Sequence, residues 1–77
     1  MIDVKEAARL AINYFHEVYG DQYPIVTIEE IEMLENEPVW LITIGYAKNE
    51  LYELKYKELK VFYDGGEIKS MKIRTIK

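Results

Sequence analysis

The sequence predicts an α+β domain in which one N-terminal helix packs on a curved four-stranded antiparallel sheet. Residues 39–47 are nine uncharged residues in a chain that is 31% charged, and they predict a central strand. Residues 4–19 have a 3.6-residue apolar period, which predicts an amphipathic helix. Turn signals at 20–24, 35–38 and 64–67 divide the remainder into strands. The predicted element order is therefore α-β-β-β-β, in one domain spanning all 77 residues.

The helix is predicted to begin after Asp3 and to end at Gly20. Asp3 is a favourable N-cap, and Glu6 three residues later completes a capping-box pattern that satisfies free amide donors. Glycine suits the left-handed conformation that ends many helices. The apolar stripe consists of Val4, Ala7, Ala8, Ala11, Tyr14, Phe15 and Val18. Its alanines predict a close approach of the helix to large residues of the sheet.

Residues 25–35 allow two interpretations. In residues 30–33 glutamates alternate with apolar residues, which favours a strand, with a bulge near Glu29 to reconcile the two halves of the pattern. The alternative is a second short helix, capped by Thr27 and Glu30. That helix would seal the second face of the sheet, so the choice decides how much of the sheet stays open.

Alternation divides the side chains of the central strand between two faces. The bulky face carries Trp40, Ile42, Ile44 and Tyr46, and the shallow face carries Val39, Leu41, Thr43, Gly45 and Ala47. Because one helix covers one face, we expect the other face to meet solvent or another molecule. Residues 48–56 fit no period and predict an irregular connection.

The last two strands are predicted to form a hairpin. Asp64–Glu67 contains two glycines, which supply the positive φ that tight hairpin turns need. If those glycines form a two-residue loop, Tyr63 lies opposite Ile68; a three-residue loop shifts that register. The apolar parity of residues 68–74 reverses around Ser70, which predicts a bulge or bend there.

Three segments resemble a PepSY-like domain. They are residues 4–11, in which Lys5-Glu6-Ala7-Ala8 matches the helix start, residues 30–44, in which Trp40 stands where the family often has Tyr or Trp, and residues 56–68 with their Asp-Gly-Gly-Glu turn. The resemblance covers most of the chain with short motifs, and it departs from the family in the compact turn, in residues 48–56 and in the lack of a signal peptide. It implies the cystatin-like group of folds, in which a helix lies across a curved antiparallel sheet.

The same resemblance implies binding rather than catalysis. PepSY domains occur in protease propeptides and in membrane-associated regulators, where peptidase inhibition or peptide binding has been proposed. The family has no catalytic residue to transfer to this chain. We therefore expect a non-catalytic module, with an inhibitory or regulatory role.

Charge is distributed unevenly along the chain. The net charge is −4, made up of −7 in residues 1–47 and +3 in residues 48–77. An acidic total argues against a dedicated nucleic-acid binder. The two halves attract each other, either within one chain or between opposite sheet edges of neighbouring copies.

Composition limits the class of protein further. Cysteine is absent, which excludes disulfides and thiolate metal sites. No signal peptide and no apolar run of membrane-spanning length is present, so we expect a cytoplasmic protein without a membrane partner. High Glu and Lys contents hint at a thermophilic source.

The chain offers no constellation for catalysis or for a cofactor. His16 is the only imidazole and lies on the polar side of the predicted helix, as a solvated surface histidine does. Five glutamates between residues 29 and 37 lack the glycine and ligand spacing of a calcium loop, so a solvated acidic edge is expected. We predict no catalytic residue, no metal and no cofactor.

An aromatic interaction surface is the favoured candidate site. It consists of Tyr46, Tyr52, Tyr56, Phe62 and Tyr63, predicted to lie on the sheet face without a helix. The favoured function is a protein- or peptide-binding module that forms a homodimer through its sheet or accepts a partner strand at an edge.

Two other functions stay open. One is a small-ligand or enzymatic pocket between helix and sheet near Trp40, where small helix residues face large ones. The other is weak single-stranded nucleic-acid binding by Lys55, Lys57 and Lys60, which are interleaved with aromatic residues.

Overall fold

The computed structural model describes residues 1–75. Its elements are α1 (Val4–Tyr19), β1 (Ile25–Met33), β2 (Val39–Ala47), β3 (Lys55–Phe62) and β4 (Ile68–Arg74). The strands form one antiparallel sheet in the order β1-β2-β3-β4, so β1 and β4 are its edges. The predicted α+β class and element order are confirmed, and residues 25–35 do not form the alternative second helix.

Both ends of α1 are capped at the predicted residues. Oδ1 of Asp3 accepts a hydrogen bond from the Glu6 amide at 2.8 Å, and Gly20, at φ 62°, donates from its amide to the His16 carbonyl at 2.7 Å. The Glu6 carboxylate binds the Arg9 guanidinium, with Oε1 2.6 Å from Nε. The Glu6 side chain thus pairs with Arg9 on the helix surface, and the side chain that caps the helix is that of Asp3.

The buried side of α1 is narrower than the predicted stripe. Ala7, Ala11 and Phe15 are fully buried, whereas Val4 and Val18 are 38% and 50% exposed. A helix that rests on a sheet along the line of residues 7, 11 and 15 turns flanking positions towards solvent. Val4 and Val18 were therefore wrongly assigned to the contact with the sheet.

The first hairpin contains the predicted bulge. β1 pairs with β2 from Ile25 opposite Ala47 to Met33 opposite Trp40, with a register shift between Ile28 and Glu30. The extra residue, Glu29, restores the alternation that the sequence pattern breaks. Residues before and after the bulge therefore both direct apolar side chains towards α1.

The second hairpin has a longer loop than either the two-residue or the three-residue alternative that the sequence left open. Ile68 lies opposite Val61 rather than Tyr63, and the Phe62 amide donates to the Glu67 carbonyl at 2.9 Å. Lys60 pairs with Ser70 one step further on, which leaves Lys69 as the extra residue. The bulge is thus one residue from the predicted Ser70, because the longer loop changes the pairing at the start of β4.

The core lies between α1 and the sheet. It consists of Ala7, Ala11, Phe15, Ile42, Ile44, Tyr46, Leu59 and Val61. β2 directs its bulky face towards α1, as the small helix residues predicted. The opposite side of the sheet, called the open face below, has no helix over it among residues 1–75. Yet three β2 residues on it, Val39, Thr43 and Ala47, are 0%, 1% and 4% exposed.

Candidate functional site

The five aromatic residues predicted to share a surface are divided among several places. Tyr46 is 6% exposed and belongs to the core, and Tyr52, 60% exposed, lies in the β2–β3 connection. Tyr56 and Phe62 are half-buried on the open face, opposite Gly45 and Val39. Tyr63 follows β3 and packs edge-on against Trp40, with ring centroids 5.6 Å apart. The expected continuous aromatic patch is wrong, because strand alternation and chain bends separate its members.

Tyr46 belongs to an aromatic cluster beneath the C-terminal end of α1. Its ring centroid lies 5.0 Å from that of Phe15 and 4.9 Å from that of Tyr23. The Lys57 ammonium lies 5.9 Å from the Tyr46 ring and 5.5 Å from the Tyr19 ring. Burial raises the pKa of Tyr46. Burial alone lowers the pKa of Lys57, but its polar contacts with Tyr19 and Tyr46 reverse the sign and raise it, so the lysine stays charged.

A small cleft opens beside this cluster. Its lining includes Tyr23, Tyr46 and Tyr52 with Lys48 and Lys55, and its volume is about 120 Å³. Pockets for organic ligands usually measure roughly 300–1,000 Å³. The cleft is large enough for one side chain of a partner, and too small for a substrate enclosed on all sides.

Trp40 does not line any of the five main clefts of residues 1–75. Its indole Nε1 donates to the Ile2 carbonyl at 3.4 Å, and the Ile2 amide donates to the Tyr63 carbonyl at 2.8 Å. The N-terminal residues and Tyr63 thus pack around the indole. The ligand pocket near Trp40 stays a prediction, with these residues of the chain beside the ring.

Long charged side chains cover the open face. Arg74 on β4 donates from Nη1 to Oγ1 of Thr43 at 2.6 Å, and it forms an ion pair with Glu30 on β1. Near the other end, the Glu37 carboxylate lies 3.0 Å from Nζ of Lys60 and 3.5 Å from Nζ of Lys69. Arg74 thus links β4 to β2 and β1, and Glu37 links the turn before β2 to Lys60 and Lys69, on a face that has no helix over it within residues 1–75.

Near the end of β2, the lack of a side chain at Gly45 lets the Thr27 and Glu29 side chains of β1 lie over the strand. A β-carbon on Gly45 would lie 2.9 Å from Oγ1 of Thr27 and 3.2 Å from Cγ of Glu29. The Thr27 hydroxyl donates to Glu29 at 2.7 Å directly above this glycine. The open face thus combines polar side chains that bond to each other with half-buried apolar ones such as Leu41 and Phe62.

The cations and aromatics suggested for nucleic-acid binding alternate between the two faces of β3. Lys57 lies opposite Ile44 on the side of α1, whereas Lys60 lies on the open face and binds Glu37. A single-stranded nucleic acid needs both groups along one track. On β3 the three lysines are divided, since Lys55 and Lys57 lie on the side of α1 and Lys60 lies on the open face with Tyr56 and Phe62.

Exposed apolar residues mark the sheet edges instead. On β1, Ile31 and Met33 are 37% and 51% exposed, and on β4 Ile73 is 76% exposed. Each lies on the side of α1 by its register but beyond the cover of the helix. These positions were absent from the predicted site. They can be identified by a sequence pattern: in the first and last strands of a meander, apolar residues alternate with charged residues of one sign.

No protein-family model, curated protein or solved structure matches this chain. The PepSY-like and cystatin-like assignments therefore stay predictions. The candidate site is defined by the geometry of the two edges alone.

The described residues lack two further kinds of site. No three His, Cys, Asp or Glu side chains within residues 1–75 lie close enough together to hold a metal ion. No helix in that range has the length and apolarity to cross a membrane. His16 is exposed on α1 and its ring lies 6.0 Å from that of Phe15.

Proposed function

We propose that this chain is a non-catalytic binding module that takes up an extended segment of a partner protein along the outer edge of β4. The observation that carries the proposal is Ile73, 76% exposed on an edge strand between two basic residues, Lys72 and Arg74. An edge strand offers unpaired backbone groups for main-chain hydrogen bonds, and side-chain pockets supply specificity.

A cleft at the end of β4 supports this use of the edge. It measures about 370 Å³, and its lining includes Leu54, Tyr56 and Ile73 with Lys55 and Arg74. Apolar walls with cationic groups favour a segment that alternates apolar and acidic residues. On the open face Arg74 and Lys60 already pair with carboxylates of the same chain, whereas Ile73 at this edge stays exposed.

The resemblance to PepSY-like domains points in the same direction, since peptide binding and peptidase inhibition have been proposed for that family. An inhibitory or regulatory role follows if the captured segment belongs to an enzyme. Fold resemblance is a weak argument for function by itself, so the edge geometry carries the proposal.

A peptide-binding measurement tests the proposal. The probe is a fluorescein-labelled, end-capped ten-residue peptide alternating glutamate with valine, and the control peptide replaces each glutamate with lysine. Fluorescence anisotropy gives the affinity, and hydrogen exchange locates the protected amides. We expect the acidic peptide to bind more tightly and to protect residues 70–74.

A pair of variants separates the edge from general surface hydrophobicity. Ile73→Asp should weaken the acidic peptide at least tenfold, because it removes the apolar contact and adds like charge. Leu51→Asp is the matched control, since Leu51 is 94% exposed in the β2–β3 connection. Equal affinity for the two peptides, or protection away from β4, would refute the proposed function.

A further inference from the structure

The two edges of the sheet carry matching patterns of opposite charge. β1 ends with Glu30, Ile31, Glu32 and Met33, and β4 ends with Met71, Lys72, Ile73 and Arg74. In each strand the charged residues lie on the open face and the apolar residues on the side of α1. The bulges at Glu29 and Lys69 lie just outside these stretches, so both stretches are regular.

We propose that the segment bound along β4 is β1 of a second copy of this chain, paired antiparallel with Lys72 opposite Glu32 of the second copy. This inference rests on the proposed function and specifies its partner. In this register Arg74 lies opposite Glu30, Ile73 opposite Ile31, and Met71 opposite Met33 of the second copy. Lys72 and Glu32 then form a new pair of opposite charge together with two apolar pairs, while Arg74 and Glu30 are already paired within each chain.

Neighbouring registers match less well. Antiparallel pairing that keeps the faces aligned changes in steps of two residues. One step places Ile73 opposite Glu29, the bulged residue; the other places Lys72 opposite Leu34, which lies beyond the end of β1. Each of these two registers has one facing pair of opposite charge and one apolar pair fewer than the proposed register. The matched stretch thus selects one register.

Symmetric dimers are disfavoured by charge. Pairing β4 with β4 of another copy sets Lys72 and Arg74 against the same cations, and pairing β1 with β1 sets glutamates against glutamates. The interface between β4 and β1 is heterologous, so a joined pair keeps one free β1 edge and one free β4 edge. The assembly therefore grows into a chain or closes into a ring, and it does not stop as a two-fold dimer.

The helices leave room for this joint. The strand of the second copy continues the antiparallel alternation of the sheet, so every copy has its α1 on the same side. The helices of neighbouring copies are therefore four strands apart. At about 4.8 Å per strand the helix axes are roughly 19 Å apart, whereas a helix with side chains is about 10–12 Å wide. Ile73 and Met71 of one copy then lie with Ile31 and Met33 of the next in the groove between helices, where their exposed area is sheltered.

Charge reversal tests the register. Arg74 already forms an ion pair with Glu30 of its own chain, whereas Lys72 and Glu32 form none within residues 1–75. Sedimentation velocity from micromolar to millimolar concentration should show the full chain forming either a growing series of species or one closed ring larger than a dimer. Lys72→Glu alone and Glu32→Lys alone should each weaken association about tenfold, because like charges then face each other.

Mixing gives the decisive result. An equimolar mixture of the Lys72→Glu and Glu32→Lys chains should regain assembly, since each joint between unlike copies again pairs opposite charges. The chain with both substitutions should also assemble. Lys48→Glu, an equal charge change at an exposed residue after β2, should leave assembly unchanged. Circular dichroism checks that each variant folds.

Three outcomes would overturn the inference: a mixture that stays dissociated, a loss of assembly with Lys48→Glu equal to that with Lys72→Glu, or a species that stops at a dimer. A chain that stays monomeric yet binds the acidic peptide along β4 overturns the inference and leaves the proposed function standing. A chain that neither assembles nor binds the peptide refutes both.

Discussion

Arg74 donates a hydrogen bond from Nη1 to Oγ1 of Thr43, 2.6 Å away and 31 residues earlier in the chain. Thr43 is 1% exposed and lies on the second strand, whereas Arg74 lies at the end of the fourth. The same guanidinium binds Glu30 on the first strand. One side chain thus connects three strands on a face that has no helix over it.

Replacing Thr43 with Val should reduce the free energy of unfolding by about 1.5–3 kcal/mol, since the shape is kept and one charge-assisted hydrogen bond is lost. Thr27→Val is the matched control. Thr27 is an exposed strand threonine that bonds the nearby Glu29 carboxylate, so its loss should stay within about 0.5 kcal/mol. Urea unfolding at neutral pH measures both changes. Equal losses at the two positions would show that the Arg74 contact contributes nothing.

The lowered pKa of Glu37 predicts that the protein loses stability in acid. A hydrogen bond from Lys60 lowers the pKa of this carboxyl, against the opposing effect of burial, and the charges of Lys60 and Lys69 lower it further. A lowered folded-state pKa adds stability that is complete above the ordinary value of 4.5 and is lost as the pH falls through the folded value. Wild-type stability should therefore decline below pH 4.5.

Glu37→Gln should flatten that decline, because the amide does not titrate. The measurement is urea unfolding at neutral pH and at about pH 3. Glu35→Gln, at an exposed neighbour without an ion pair among the described residues, serves as the control. The assignment fails if the difference between the two pH values stays the same in Glu37→Gln as in the wild type.

Periodic stretches allowed the elements to be predicted from the sequence. α1 and β2 have the predicted bounds, because a capped amphipathic period and an uncharged run between turns each leave few alternatives. Tyr46 could also have been placed, since strand parity groups it with Ile42 and Ile44 under the helix. Assigning it to an exposed patch contradicted that parity.

Other features depend on contacts between distant residues. The register of the last hairpin follows from the loop between Tyr63 and Glu67, whose length the two glycines alone do not determine. The burial of Thr43 follows from Arg74 across two strands, and no local pattern predicts it. The exposed edge residue Ile73 can be identified only once the strand order is known.

The two glycines of the last turn provide a matched pair for a packing test. Gly65 and Gly66 have φ of 81° and 72°, so an alanine at either position adopts a left-handed conformation that costs roughly 1–2 kcal/mol. A β-carbon on Gly65 would meet nothing within 4 Å, whereas one on Gly66 would overlap Cδ1 of Leu10 on α1. Of the two glycines, Gly66 is therefore the one that packs against the helix.

Gly66→Ala should accordingly lower the free energy of unfolding by about 1–3 kcal/mol more than Gly65→Ala, because Leu10 must move within a packed contact. Combining Gly66→Ala with Leu10→Ala removes the overlap, so the double variant should lose less than the sum of the two single losses. Urea unfolding of the four variants gives the coupling directly. Equal losses for the two glycine variants, with strictly additive behaviour in the double variant, would mean that Leu10 gives way freely and that the turn and the helix are not in energetic contact.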